Sequence, residues 1–170
     1  MFKYLVVSLL VLSTASLAQE TENETGPATL EIGIQAMGLA LSLSAPGLDI
    51  VGFDLPARDN AQRAQVAAAV SELSRPLKLF VVAPAADCVT VSANVALVET
   101  PGGEGRKAPE FEAEYMIRCR NISAVTDLRT AYFDRFPKAR GLNVLVQSET
   151  GTRRFDLTPQ SPVADLSGLT

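Results

Sequence analysis

The chain has 170 residues, with 15 Lys and Arg against 19 Asp and Glu, no histidine, and a formal net charge of −4. This charge argues against a nucleic-acid partner, since little is present to neutralise phosphate. The missing histidine excludes Ser-His-Asp triads and zinc-protease helices, both of which need an imidazole.

MFKYLVVSLLVLSTASLA opens the chain. Lys3 supplies a positive start, Leu5 to Leu12 a short apolar run, and Ser16-Leu17-Ala18 the small residues a signal peptidase reads. Residues 1–18 are therefore expected to be a secretory signal, cleaved after Ala18 and too short to remain as a membrane span. No cysteine follows the apolar run, so lipid attachment at a new N-terminal Cys is excluded. No later stretch approaches the ~20 apolar residues that cross a bilayer. The expectation is a soluble periplasmic protein without stable membrane insertion. Gln19 to Pro27 is polar and acidic and reads as a flexible lead-in, and residues 28–170 as one domain.

Leu30, Ile32 and Ile34 alternate with polar residues, and Leu39, Leu41 and Leu43 do so after a break at Met37-Gly38. The pattern predicts a β-hairpin turning near Gln35 to Gly38 and ending at Pro46-Gly47. Leu48 to Phe53 reads as a further extended apolar run. Asp59, with Gln62 three residues later, forms a capping-box pattern, and Val66, Val70 and Leu73 share a helical face. The prediction is one long helix over Asn60 to Ser74, stopped by Pro76. LKLFVV reads as a short strand or buried link.

Val89, Val91, Ala93, Val95 and Leu97 alternate, as do Phe111, Ala113, Tyr115 and Ile117. PGGEGRKAP lies between them, so these segments form a second hairpin. A third comprises Leu142, Val144 and Val146, a turn at Ser148 to Thr152, and Phe155 with Leu157. Before it, Leu128 to Phe133 is expected as strand and Asp134 to Ala139 as a helical turn. The tail from Pro159 reads as irregular, with Leu166 tucked back. The expected fold is α+β: a mostly antiparallel sheet built from hairpins, with one main helix packed on it.

Cys88 and Cys119 are the only cysteines. In an exported chain an even pair is read as a disulfide, and two thiolate metal ligands are the alternative. A loop centred near Gly103 puts the two opposite each other. Yet Cys119 belongs to the apolar set of its strand and Cys88 lies one residue out of its own, so a regular ladder would face them apart. A bulge, or Cys88 placed just before the strand, resolves this.

Glu110, Glu112 and Glu114 alternate on one strand face, with Glu104 in the adjoining loop. Such a row is the candidate site for a hard divalent cation, and equally the solvent face of an amphipathic strand. No nucleophile or acid–base constellation is visible, so no enzyme is expected.

Read in order, an exported start is followed by GPATLEIGIQ, LSLSAPGLDIVGFDLPA, an alanine-rich helix, a first Cys and a variable loop. FEAEYMIRC and AYFDRFPKARGLNVLVQ come after it. This order resembles the periplasmic zinc-uptake family that includes ZrgA, across nearly all of the chain beyond the signal. The most specific pieces are SAPGLDIVGFDLPA, EFEAEYMIRC and FDRFPKA. Gly52, Phe53, Cys88, Cys119, Phe136 and Pro137 match the family framework. The resemblance implies periplasmic zinc handling that assists an importer, through a His pair before the first strand, a His after the G-F-acidic motif, and a His-rich loop. The matching positions here hold Asn23 and Thr25, then Leu55, and no His lies between Thr100 and Pro109.

Protein zinc is held mostly by His nitrogen and Cys sulfur, so the expectation is weak or lost zinc binding, with zinc as a cofactor implied by the resemblance alone. Three functions follow. The first is a zinc-uptake accessory that docks to a metal importer or envelope protein. The second is a carboxylate-based divalent-metal binder. The third is an envelope interaction domain unrelated to metal.

Overall fold

The computed structural model describes residues 26–101 and 107–170. The expected signal segment, Asn23, Thr25 and Glu104 lie outside the described residues.

Strands β1 (Ala28–Gln35) and β2 (Gly38–Pro46) form the first hairpin, turning at Ala36-Met37. Their alternation is realised: Leu30, Ile32, Ile34, Leu39, Leu41 and Leu43 are all buried, while Glu31, Gly33, Ala40 and Ser42 take the other face. Strands β4 (Cys88–Pro101) and β5 (Lys107–Cys119) form the second hairpin, and β7 (Leu142–Ser148) and β8 (Gly151–Leu157) the third. The three join in one six-stranded sheet, ordered β4-β5-β2-β1-β7-β8. All neighbours are antiparallel except β1 and β7, which run parallel with Leu30 opposite Val144.

Helix α2 (Asn60–Leu73) forms as predicted. The Asp59 carboxylate accepts from the Gln62 backbone N–H at 2.8 Å, and the Gln62 side chain accepts from the Arg58 N–H at 2.7 Å. These bonds satisfy donors at a helix start. Among the described residues it is the only helix longer than four residues. It buries fully only Ala69 and Leu73.

Most of the layer that covers the sheet comes instead from pieces too short to show periodicity. A second, three-stranded sheet pairs β3 (Phe80–Val81), β6 (Asp127–Thr130) and β9 (Val163–Asp165). With it come α1 (Gly47–Ile50), α3 (Pro76–Leu79) and α4 (Tyr132–Arg135). Phe80, Leu79, Leu128, Tyr132, Phe136 and Leu166 from this layer meet the inward side chains of the large sheet in one core.

Several expectations are corrected. Leu48 to Phe53 is not extended: Gly47 to Ile50 makes a helical turn closed by Val51 N–H to Gly47 O at 2.8 Å. LKLFVV splits into α3 and the two residues of β3, because Pro76 sits in the first turn of a new helix, where its missing N–H costs nothing. The strand expected through Phe133 ends at Thr130, and the helical turn begins earlier, at Tyr132. The tail holds strand β9, paired with β6, and Leu166 is buried as expected.

Candidate functional site

Strand β5 alternates cleanly. Phe111, Ala113, Tyr115, Ile117 and Cys119 are buried, while Glu112, Glu114, Met116 and Arg118 face outward. The outward set stands on the face of the large sheet that no described element covers. Glu112 lies between Ser44 of β2 and Ala96 of β4, and Glu114 between Ser42 and Asn94. Glu110, at the end of the row, accepts a hydrogen bond from the Ser44 hydroxyl. Glu31 of β1 joins the same face, since Ser42 stands opposite both Glu31 and Glu114. Its role went unassigned in the sequence, although the inward Leu30 and Ile32 already required Glu31 to face out.

Between these carboxylates the sheet carries small residues. Gly33, Ala40, Ser42 and Ser92 floor a shallow trough of about 380 Å³, rimmed by Glu31, Glu114 and Gln147. A second depression of about 410 Å³ continues it past Ser44, Ala96 and Glu112. None of the ion pairs among the described residues involves Glu31, Glu112 or Glu114. The row does not converge, because same-face residues on a strand repeat every ~6.6–6.8 Å. Among the described residues no group of three or more Asp, Glu or Cys side chains gathers where it would hold a metal ion.

The cysteines are joined in a disulfide and pair directly across β4 and β5. Their register is restored by a β-bulge between Thr90 and Ser92. The extra residue, Val91, turns outward, as does Val89, against the expectation that both face the core.

The segments that carry the family resemblance meet at the opposite end of β5. Gly47 packs on Pro109, and a Cβ there would lie 2.6 Å from the proline ring. Gly52 has φ +82°, and the Lys138 side chain lies across it so closely that a Cβ would meet Lys138 Cε and Nζ at 2.5 Å. The positive φ is what selects glycine here, since the flexible Lys138 side chain could move aside for a Cβ. Asp49 of α1 is half-buried, and desolvation pushes its carboxyl up to about 6. Tyr132 is fully buried, and its phenol is pushed up first by burial, then by the charges of Asp49 and Tyr115. Burial raises Tyr115 as well. Leu55, the position at which the resemblance implied a His, is half-buried in the irregular stretch between α1 and α2.

Among the described residues no helix is long and apolar enough to cross a membrane. The disulfide fits an oxidising compartment. A search of curated proteins finds no match. The model for ZrgA family zinc uptake proteins matches residues 22–166, nearly the whole chain, and the protein belongs to that family.

Proposed function

We propose that this is an exported, non-enzymatic periplasmic accessory protein of zinc uptake, which acts by docking to a metal importer or another envelope protein and binds zinc weakly or not at all. The observation that carries the reading is the state of the soft donors. The chain has no histidine, and both cysteine sulfurs are bonded to each other. A disulfide sulfur is not a thiolate, so neither of the donors that zinc prefers is on offer. The donor set does not fit a tight zinc site.

A second reading, a carboxylate-based divalent-metal binder, rests on the open face, where Glu31, Glu112 and Glu114 stand exposed and outside any described ion pair, and it requires these side chains to be drawn together by the ion. Oxygen donors of this kind suit calcium or manganese better than zinc.

Calorimetric titration of the exported protein with zinc, calcium and manganese, with chelator competition for zinc, tests both readings. No sub-micromolar zinc site is expected. A tight site lost in Glu112→Gln with Glu114→Gln would replace the docking reading with the carboxylate one. A metal at 100 times its dissociation constant would also raise stability by about 2.7 kcal/mol, visible as a shift in melting.

A further inference from the structure

The large sheet has two edges, and they are built differently. The far edge, β8, is seven residues long and carries Arg153, Arg154 and Asp156. The C-terminal segment also ties to that side of the sheet: Thr150 Oγ1 donates to Gly168 O at 2.9 Å, and Arg153 Nη1 to Asp165 O at 3.4 Å. Charge and cover are the usual protection of an edge strand.

The near edge, β4, is less protected on both counts, although helices α2 and α3 lie near it. It is 14 residues long, and its only charged residue is Glu99. Among the described residues, none of the backbone hydrogen bonds outside the ladders and helices involves residues 88–101. Its outward N–H and C=O groups therefore stand ready for another strand. Val89 is 52% exposed, Val91 55% and Leu97 41%. The bulge at Val91 breaks the ladder on one side, and from Ser92 onward the register is regular. This leaves Ser92 to Val98, SANVALV, as an uncharged, regular stretch with no Gly or Pro, its outer backbone unpaired among the described residues.

We propose that this edge is a homodimer interface, in which Ser92 to Val98 of two copies pair antiparallel and extend the sheet across both. The stretch is self-complementary about Val95. Ala93 then lies opposite Leu97, small against large on the core side, and Asn94 lies opposite Ala96 on the open side. One surface used twice is the requirement of a two-fold interface. With a net charge of −4, two copies repel in general, and an uncharged strand is where they approach at least electrostatic cost. Nothing in this proposal depends on zinc handling.

Sedimentation velocity on the exported protein, from micromolar to near-millimolar concentration, is the test. A concentration-dependent dimer is expected. Asn94→Lys combined with Ala96→Lys changes two exposed residues and places like charges face to face, so association should weaken at least ~10-fold. Thr152→Lys on the other edge should leave it unchanged. Circular dichroism and melting of each variant show that the fold is intact. Hydrogen exchange of residues 92–98 should slow as the dimer forms. A chain monomeric throughout the range overturns the proposal. So does a dimer indifferent to the two lysines, or one that leaves residues 92–98 unprotected. In the monomeric case the edge is left for a strand of a different protein.

Discussion

Cys88 stands directly opposite Cys119 at the first pair of the β4–β5 ladder, and the bulge at Val91 lies just beyond it. The bond closes a loop with a sequence separation of 31, which includes the charged hairpin end. In the chain-entropy account such a closure stabilises by about 3–4 kcal/mol. Cys88→Ser and Cys119→Ser should therefore lower the melting temperature by similar amounts, roughly 6–16 °C for a domain of this size. Reduction of the unmodified protein should do the same. Thiol titration of the oxidised protein should find no free sulfhydryl. Two free thiols, or strongly unequal variants, would contradict the bond.

The half-buried Asp49 makes a pH dependence of definite sign. Its folded pKa of about 6 lies above the ordinary 3.8, so in that window the folded state holds the proton more tightly than the unfolded state. Stability should rise as the pH falls from about 7 through 6, and level off near 4. Solvent screening at a half-exposed group trims the size of the effect but not its direction. Asp165 has the opposite sense. Its carboxyl is held low by hydrogen bonds from Ser167, the backbone N–H at 2.9 Å among them, so its contribution is lost only below the ordinary carboxylate range. Melting of the parent and of Asp49→Asn between pH 4 and pH 7.5 separates the two groups. The Asn variant should show a flattened profile. Identical slopes would remove Asp49 as the cause.

Local patterning carried much of this fold. The three hairpins, the cap at Asp59 and the end of β2 at Pro46 are all local devices, and they form where alternation and capping place them. What could not be read is non-local. The parallel pairing of β1 with β7 joins Leu30 to Val144, and nothing near either residue specifies the other. Strands of two to four residues, as in β3, β6 and β9, are too short to show a period. The Cys88 register conflict was legible, and a bulge was one of the two resolutions the sequence offered; the choice between them was not, because Val91 looks like any inward valine until the ladder is built.

The candidate site divides in the same way. Alternation placed Glu110, Glu112 and Glu114 on one face, and the structure keeps them there. The small-residue floor of Gly33, Ala40 and Ser42 belongs to β1 and β2, and it meets those glutamates only through the β2–β5 pairing. The trough is thus a property of strand order and invisible in any one segment.

The covering layer offers a paired test of how buried polar groups count. The hydroxyls of Tyr115 and Tyr132 are buried and have no hydrogen-bond partner among the described residues. Thr130, 3% exposed, is the converse: its Oγ1 donates to Leu79 O at 3.3 Å and accepts from Tyr132 N–H at 3.1 Å. Removing an unpaired buried hydroxyl releases its desolvation cost, so Tyr132→Phe should be neutral or slightly stabilising. Thr130→Val keeps the shape but strands the Tyr132 N–H in the core, which should cost about 1–3 kcal/mol. Leu79 O is buffered, because it also accepts from Ala131 N–H at 2.7 Å. Urea unfolding at constant m-value should then give a lower midpoint for Thr130→Val and an unchanged or higher one for Tyr132→Phe. A large loss from Tyr132→Phe would mean that the phenol has a partner in solution, and the half-buried Asp49, whose charge already bears on it, is the first group to examine.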